Sequence, residues 1–225
     1  MKTDIIYRSI YRFIWERIEG LILLPLIVPS WPLSKRWFNN WGATTLECSK
    51  VWPGDILTPT EVTTFTRAID INASTNTVWK WIVQFGLYRG GFYSYELLER
   101  LAGIPVKNIE SILPEYQSLE LEEKIKLHPK EPGLPVGALS EGKHLCFGQL
   151  NANSEDTLDP QKSWSIYIES LGKNSCRLLL RSCIEKPRKT TIRKQLSLAL
   201  ETPIDFLMEQ RMLRTIRRLA ESVKS

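Results

Sequence analysis

The stretch WIVQFGLYRGGFYSYELLERLAG, residues 81–103, decides between two kinds of protein. An arginine and a glycine pair just ahead of a helix make a phosphate cradle when they link a strand to that helix, because loop amides and the helix N-terminus then point at the anion. Here the preceding residues are helical: Val78, Trp81, Ile82 and Phe85 recur at i, i+3, i+4 and i+7 behind an N-cap at Ser74 or Thr75, and Gly86 ends the run. Ser94 then reads as the cap of a second short helix over 95–102, stopped by Gly103. Residues 87–93 therefore join helix to helix, the glycines have the wrong spacing, and no Lys-Ser/Thr pair follows. The expectation is a tight turn at Gly90-Gly91 with close approach of backbones, and Arg89 left to meet an acidic group.

Upstream, VTTFTRAIDINA (62–73) is rich in β-branched residues and reads as a strand. Downstream, KIKLH (124–128), LPVGAL (134–139), KHLCFGQL (143–150), SWSIYIESL (163–171) and SCRLLLRSCIE (175–185) are short runs between turn formers. Gly142-Lys143 and Gly172-Lys173-Asn174 mark hairpins in an antiparallel meander. Thr202-Pro203-Ile204-Asp205 then supplies an N-cap, a proline at the first helical position and a carboxylate. It opens a long helix with Ile204, Met208, Met212, Ile216, Leu219 and Val223 on its core face and Arg211, Arg214, Arg217 and Arg218 on its solvated side. The order predicts an α+β fold: a curved antiparallel sheet wrapped around a long C-terminal helix, with two short helices after the first strand.

A chain of 225 residues with 43% apolar residues fills one core, so we expect a single domain over 61–225 with an N-terminal extension over 1–38 and an irregular connector over 39–60. Trp41 and Trp52 read as anchors sealing that connector to the core. Cys48, Cys146, Cys176 and Cys183 form no CxxC pair, and only His128 and His144 could join them, so neither metal nor cofactor is expected. With no cleavable signal they read as reduced packing thiols of a cytosolic protein. Nothing in the sequence fixes an oligomeric state.

The extension MKTDIIYRSIYRFIWERIEGLILLPLIVPSWPLSKRW reads as an amphipathic helix. Asp4, Arg8, Arg12, Glu16 and Glu19 recur on one side, with Ile6, Ile10, Phe13, Ile14, Ile18, Leu21 and Ile22 on the other. The uncharged run after Glu19 is interrupted by Pro25, Pro29 and Pro32 and is about half the ~20 residues of a spanning helix. Two readings stay open. One is a monotopic anchor with Trp15, Trp31, Trp37 and Lys35-Arg36 at the membrane interface, and the other is a segment packed on its own domain.

Charge is uneven. Residues 1–60 carry seven Lys/Arg against five Asp/Glu, residues 61–185 thirteen against sixteen, and residues 186–225 ten against four. Basic ends suit an anionic membrane surface or another anion. The tail KPRKTTIRK (186–194) could bind an acidic partner, but it has no aromatic residue to stack on bases, so nucleic acid is the least favoured partner.

The order of elements, with WGATTLE (41–47), PGD (53–55), RAIDINASTNTVWKWIVQFG (67–86), RGGFYSYELLE (89–99), ILPEYQ (112–117) and ETPIDFLMEQRMLRTIRRLAE (201–221), resembles the START-like helix-grip (SRPBCC) superfamily. It is most similar to the bacterial branch of uncharacterised polyketide cyclase/dehydrase-like proteins. The resemblance spans about residues 41–222 and implies an internal cavity for lipids, sterols, polyketides or other hydrophobic molecules. It implies no particular reaction and carries no catalytic residues over.

Candidate lining residues are Trp81, Phe85, Phe92, Tyr93, Tyr95, Trp164, Tyr167, Phe206 and Met212, residue types that are more often plain core than ligand contacts. Polar candidates are Gln84, Arg89 and Arg181, with Glu96, His144 and Glu209 the first acid/base residues to test. The leading expectation is a binding or carrier protein for a hydrophobic small molecule (lipid, isoprenoid or polyketide-like), docked at a membrane surface through its N-terminal helix. The alternative is a cyclase, aromatase or dehydratase-type enzyme acting in the same cavity.

Overall fold

The computed structural model describes residues 2–58, 62–148, 162–185 and 192–222, with helix side chains from 19 onward in the first helix, except residue 32, and from 201 onward in the last. Among these residues a six-stranded antiparallel sheet has the order β1-β6-β5-β4-β3-β2. Its strands are β1 (Val62–Ile71), β2 (Lys124–Ile125), β3 (Leu134–Ser140), β4 (His144–Phe147), β5 (Lys162–Gly172) and β6 (Ser175–Glu185). Five helices surround it: α1 (Lys2–Asn39), α2 (Thr45–Ser49), α3 (Thr75–Val83), α4 (Glu96–Leu101) and α5 (Ile192–Ser222). The meander from β2 to β6 and the return of β6 onto β1 make the sheet that α5 lies across, which is the expected helix-grip arrangement.

Alternation along the strands sorts the core into two layers. Leu178 and Leu180 of β6, Ile166 and Ile168 of β5, and Leu145 and Phe147 of β4 join the inner core with Val78, Ile82 and the α5 residues Met212, Leu213, Ile216, Leu219 and Ala220. On the outer face Ala68, Cys146, Tyr167 and Leu179 pack with Trp52 and Leu57. That outer layer exists because the connector covers it, and here the structure corrects the expectation of irregular chain. Thr44 and Glu47 form a reciprocal capping box that starts α2, and Pro53–Leu57 form a 3-10 turn. Trp52 is buried against Tyr167 with ring centroids 4.5 Å apart, as an anchor should be.

Two arginines on the outer face of β6, four residues apart, clip this layer down. Arg177 binds Glu47, with Nη2–Oε2 at 2.9 Å, and Asp70, at 2.8 Å. Arg181 makes a fork onto Asp55 at 2.7 and 3.1 Å and also donates to Thr66 Oγ1. Gly54 fits beneath because a Cβ there would sit 2.1 Å from Ser165 Oγ and 2.8 Å from the Tyr167 hydroxyl. All four cysteines are free thiols.

Other boundaries also move. The last helix starts at Ile192, about ten residues before Thr202, and runs through Pro203, whose missing N–H leaves the Ala199 carbonyl without its helical donor. Ile204, expected in the core, is 37% exposed, while Phe206 and Leu207 are buried in its place. Val223 and most of the tail KPRKTTIRK lie outside the described residues. Helix α4 is capped by Tyr95 rather than Ser94, whose hydroxyl instead donates to Glu99 at 2.8 Å. Only two residues of KIKLH and four of KHLCFGQL pair as strand, and residues 149 and 150 lie outside the described set.

Helix α1 runs unbroken through Pro25, Pro29 and Pro32. Trp31 and Phe38 pack onto Phe206, and Glu19 accepts from Arg211 at 3.3 Å. The expected polar and apolar sides are thus reversed at this point: Glu19 and Gly20 face the protein while Leu21 and Ile22 are exposed. The side chains of residues 1–18, Trp15 included, lie outside the described set. Among the described residues no helix is long and apolar enough to cross a membrane.

Glu47 is held down to about 2 by the Arg177 bond first, with burial opposing it. A depressed carboxylate contributes stability above its unfolded value near 4.5 and loses it as pH falls toward 2. Glu47→Gln should therefore lower unfolding free energy by about 1–2 kcal/mol at neutral pH. The gap to the parent should narrow in denaturant melts as pH drops through that window.

Candidate functional site

The opening stretch resolves as a structural turn. Gly86 and Gly91 form a two-way backbone bridge at 3.0 and 3.1 Å, Gly90 N donates to Gln84 O, Leu87 N to Lys126 O, and Phe92 N and Tyr93 N both donate to Asn108 Oδ1. These amides are consumed inside the protein, so the loop has no donor set for a phosphate. A Cβ at Gly90 would sit 2.6 Å from the Tyr93 hydroxyl and 2.8 Å from the Gln84 side chain, which is the close approach the glycine pair permits.

That packing delivers Phe92 and Ser94 to one end of a cavity of about 390 Å³. Its walls are the inner face of β1, β5 and β6, the end of α3, residues of α4 and the segments after it, and α5 from Thr202 to Met212. The apolar lining centres on a cluster of tilted aromatic rings. Phe85 lies 5.0 Å from Trp164 and 5.4 Å from Phe92, and Met208 and Met212 close the α5 side.

One wall is polar. Arg67 on β1, 1% exposed, pairs with Glu209 of α5. Glu209 also accepts from Trp164 Nε1 at 3.0 Å and Ser182 Oγ at 3.2 Å, while Arg67 Nε donates to the Phe38 carbonyl at the end of α1, 3.0 Å away. One turn before Glu209, Asp205 borders the same space. More than a third of the residue is exposed to solvent, while the protein packed around its carboxyl, and next the Glu209 charge, push it upward, to about 7, against the pull of Arg67 and Lys162. Glu201 adds a smaller push in the same direction. At the other end Glu99 is raised by burial, with the Ser94 hydroxyl opposing.

Of the residues picked from sequence, Phe85, Phe92, Trp164, Glu209 and Met212 border this cavity. Tyr167, Arg181 and His144 do not: strand alternation turns them to the outer face, where Tyr167 donates no group to the cavity and instead accepts from Gly54 N at 2.9 Å. The His144 ring, lowered by burial and by Lys143, lies 6.2 Å from the Tyr167 ring on that outer side. Trp81 and Tyr93 are core, meeting edge to face, and burial raises the Tyr93 hydroxyl. Gln84 ties that hydroxyl to Ser111 O and Leu113 N. Arg89 meets Glu123 at 3.0 Å, Glu96 accepts from Asn108 N and Arg100, Tyr95 lies under Arg211, and Phe206 packs on Phe38. Arg67, Asp205, Glu99 and Ser182 were missed. The signal was available for two of them, since Arg67 shares strand parity with Phe65, and Asp205 lies one turn before Glu209.

No group of three His, Cys, Asp or Glu residues among those described is set to hold a metal ion. No family model and no curated protein matches the chain. Solved structures similar to it include norcoclaurine synthase from Thalictrum flavum, at 15% identity and TM-score 0.37, covering 75% of this chain and 100% of that one. Another is CalC, a self-sacrificing resistance protein from Micromonospora echinospora, at 11% and 0.40, covering 73% and 98%. A third is protein MLL2253 from Mesorhizobium loti, at 11% and 0.38, covering 72% and 100%. Likenesses at this level carry no function across.

The raised carboxyl at Asp205 gives a test of the site's electrostatics. A group whose folded value lies above its unfolded one adds stability at low pH and loses it as pH rises, here from about 4 to about 7. The melting temperature of Asp205→Asn should gain on the parent across that interval and hold a constant lead above it.

Proposed function

We propose that the protein binds an apolar small molecule of the lipid, isoprenoid or polyketide-like class in this cavity and acts as its carrier at a membrane surface. The observation that carries the reading is the space between α5 and the inner sheet face, about 390 Å³ and walled mainly by aromatic and aliphatic side chains. That volume falls within the ~300–1,000 Å³ of small-molecule sites. The polar groups gather in two places, Arg67, Ser182, Asp205 and Glu209 on one wall and Ser94 and Glu99 at the other end, which suits a ligand with an apolar body and polar groups at its ends. Arg67 and Glu209 neutralise each other, and Asp205, titrating near neutrality, supplies a hydrogen-bond donor when protonated and an acceptor when ionised. The sequence resemblance to the polyketide cyclase/dehydrase-like branch supports the same ligand classes.

The test is native mass spectrometry of the intact chain with solvent extraction, followed by titration with the neutral fluorescent probe N-phenyl-1-naphthylamine. Bound lipid-like material or saturable probe uptake is expected, and Met208→Trp, which fills the cavity from a half-buried position, should weaken probe binding by about tenfold or more. A parent protein that neither carries nor takes up apolar compounds sinks the reading.

A second reading is favoured by one pair of groups. Asp205 and Glu209 border the same cavity one helical turn apart, the first with its carboxyl pushed up by the surrounding protein and the Glu209 charge and the second bonded to Arg67. Such a pair can move a proton on a ligand folded against the aromatics, the chemistry of a cyclase or dehydratase. If the extracted compound is converted on incubation, Asp205→Asn should abolish conversion while leaving uptake in place. Equal conversion by the variant would remove Asp205 as the acid/base group.

A further inference from the structure

Between Glu19 and Asn39, α1 is apolar on two opposite faces. Gly20, Trp31 and Phe38 face the protein. At 100° per residue the opposite side carries Ile22, Pro25, Leu26, Pro29 and Leu33, all exposed, Leu33 to 93% and Leu26 to 64%, and at its edge the half-exposed Trp37, whose ring lies 5.8 Å from that of Phe206. A helix that is apolar all round belongs inside protein or against lipid, and a water-facing position leaves the second face without a partner. The charged residues in this span are Glu19, which is turned inward to Arg211, and Lys35 and Arg36, both exposed beside Leu33 and Trp37.

Two observations choose the occupant. The stripe from Leu21 to Trp37 is ~25 Å long and ~10 Å wide, so it offers ~250 Å², well below the ~800 Å² per partner of a stable protein interface. Pro25, Pro29 and Pro32 also deprive the carbonyls of Leu21, Pro25 and Val28 of their helical amides. A dry interface with a second copy would bury such acceptors at a cost, whereas the hydrated headgroup boundary of a bilayer supplies donors. The two exposed cations set the sign of the surface as anionic.

We infer that this outward face of α1 lies in the headgroup–acyl boundary of an anionic membrane, with Leu26, Leu33 and Trp37 immersed and Lys35 and Arg36 against lipid phosphates. The inference deepens the membrane-surface reading and rests on it. It also reassigns part of the contact, because Trp31, one of the three tryptophans expected at the interface, is buried with Phe38 and Phe206.

The experiment is flotation of the intact chain with vesicles of phosphatidylcholine, with and without phosphatidylglycerol, alongside Leu26→Glu/Leu33→Glu and Lys35→Glu/Arg36→Glu. The parent should float with the anionic vesicles. The first variant should lose at least about tenfold in partitioning, and the second should lose its preference for phosphatidylglycerol. Either of two results overturns the inference: a parent that binds neither vesicle, or one whose binding both variants retain. A dimer in size-exclusion chromatography that the first variant splits overturns it in favour of a second copy. Probe uptake by N-phenyl-1-naphthylamine, measured on the same samples, shows that the variants are folded and keeps the two proposals apart. A parent that takes up the probe but does not float removes the membrane contact alone, and a parent that floats without any uptake removes the cavity reading alone.

Discussion

The architecture depends on one buried guanidinium. Arg67 sits almost wholly out of water on the inner face of β1, and an unpaired charge there would cost several kcal/mol. Its compensation comes from three directions: the Glu209 carboxylate on α5, the Phe38 carbonyl at the end of α1, and the Phe65 and Phe206 rings, which lie 5.8 and 5.4 Å away. Glu209 and Phe206 belong to α5, Phe38 to α1 and Phe65 to β1 itself. Satisfying this charge therefore fixes where α5 crosses the sheet and where α1 ends, and it gives the cavity one polar wall in which Arg67 Nη2 is buried without a hydrogen-bond partner among the described residues.

The opposite face of the sheet is organised by the same chemistry in reverse. Arg177 and Arg181 reach outward from β6, and the connector brings Glu47 and Asp55 to them, with Trp52 sealing the apolar ground between. A segment with little periodicity becomes ordered because two carboxylates and a buried indole find partners on the strands and a capping box closes within the segment itself. The cysteines belong to this packing: Cys146 and Cys183 are buried, and burial raises both thiols, so they behave as small apolar side chains.

With the outer face closed by the connector, the described structure leaves its apolar space on the inner side, under α5. There the aromatic cluster around Phe85 and Trp164 supplies contact area, and the carboxyls of Asp205 and Glu99 are pushed toward their neutral forms by the protein around them. Such a space accommodates a mostly apolar molecule and discriminates at its polar end, where a hydrogen bond can be made or left unmade.

Much of the fold was legible because its signals are local. The period of β1, β5 and β6, the Ser74 cap, the hairpin turns and the helix-to-helix setting of Gly90-Gly91 are written in neighbouring residues, and the turn was read correctly as structural. Parity along a strand was also legible, and Trp164 and Tyr167, three apart, could never have shared a face. What the sequence could not decide was which partner each side chain would meet. The signals at Thr202-Pro203 suit a helix start and equally a helix interior once α5 is held across the sheet. Arg181 and Arg67 look alike in sequence, yet one clips a connector and the other borders a cavity, because burial and pairing are set by elements more than a hundred residues away. The sequence by itself determined the elements and their order; tertiary packing alone decided which charges were buried together, and through them which face of the sheet was sealed and which was left hollow.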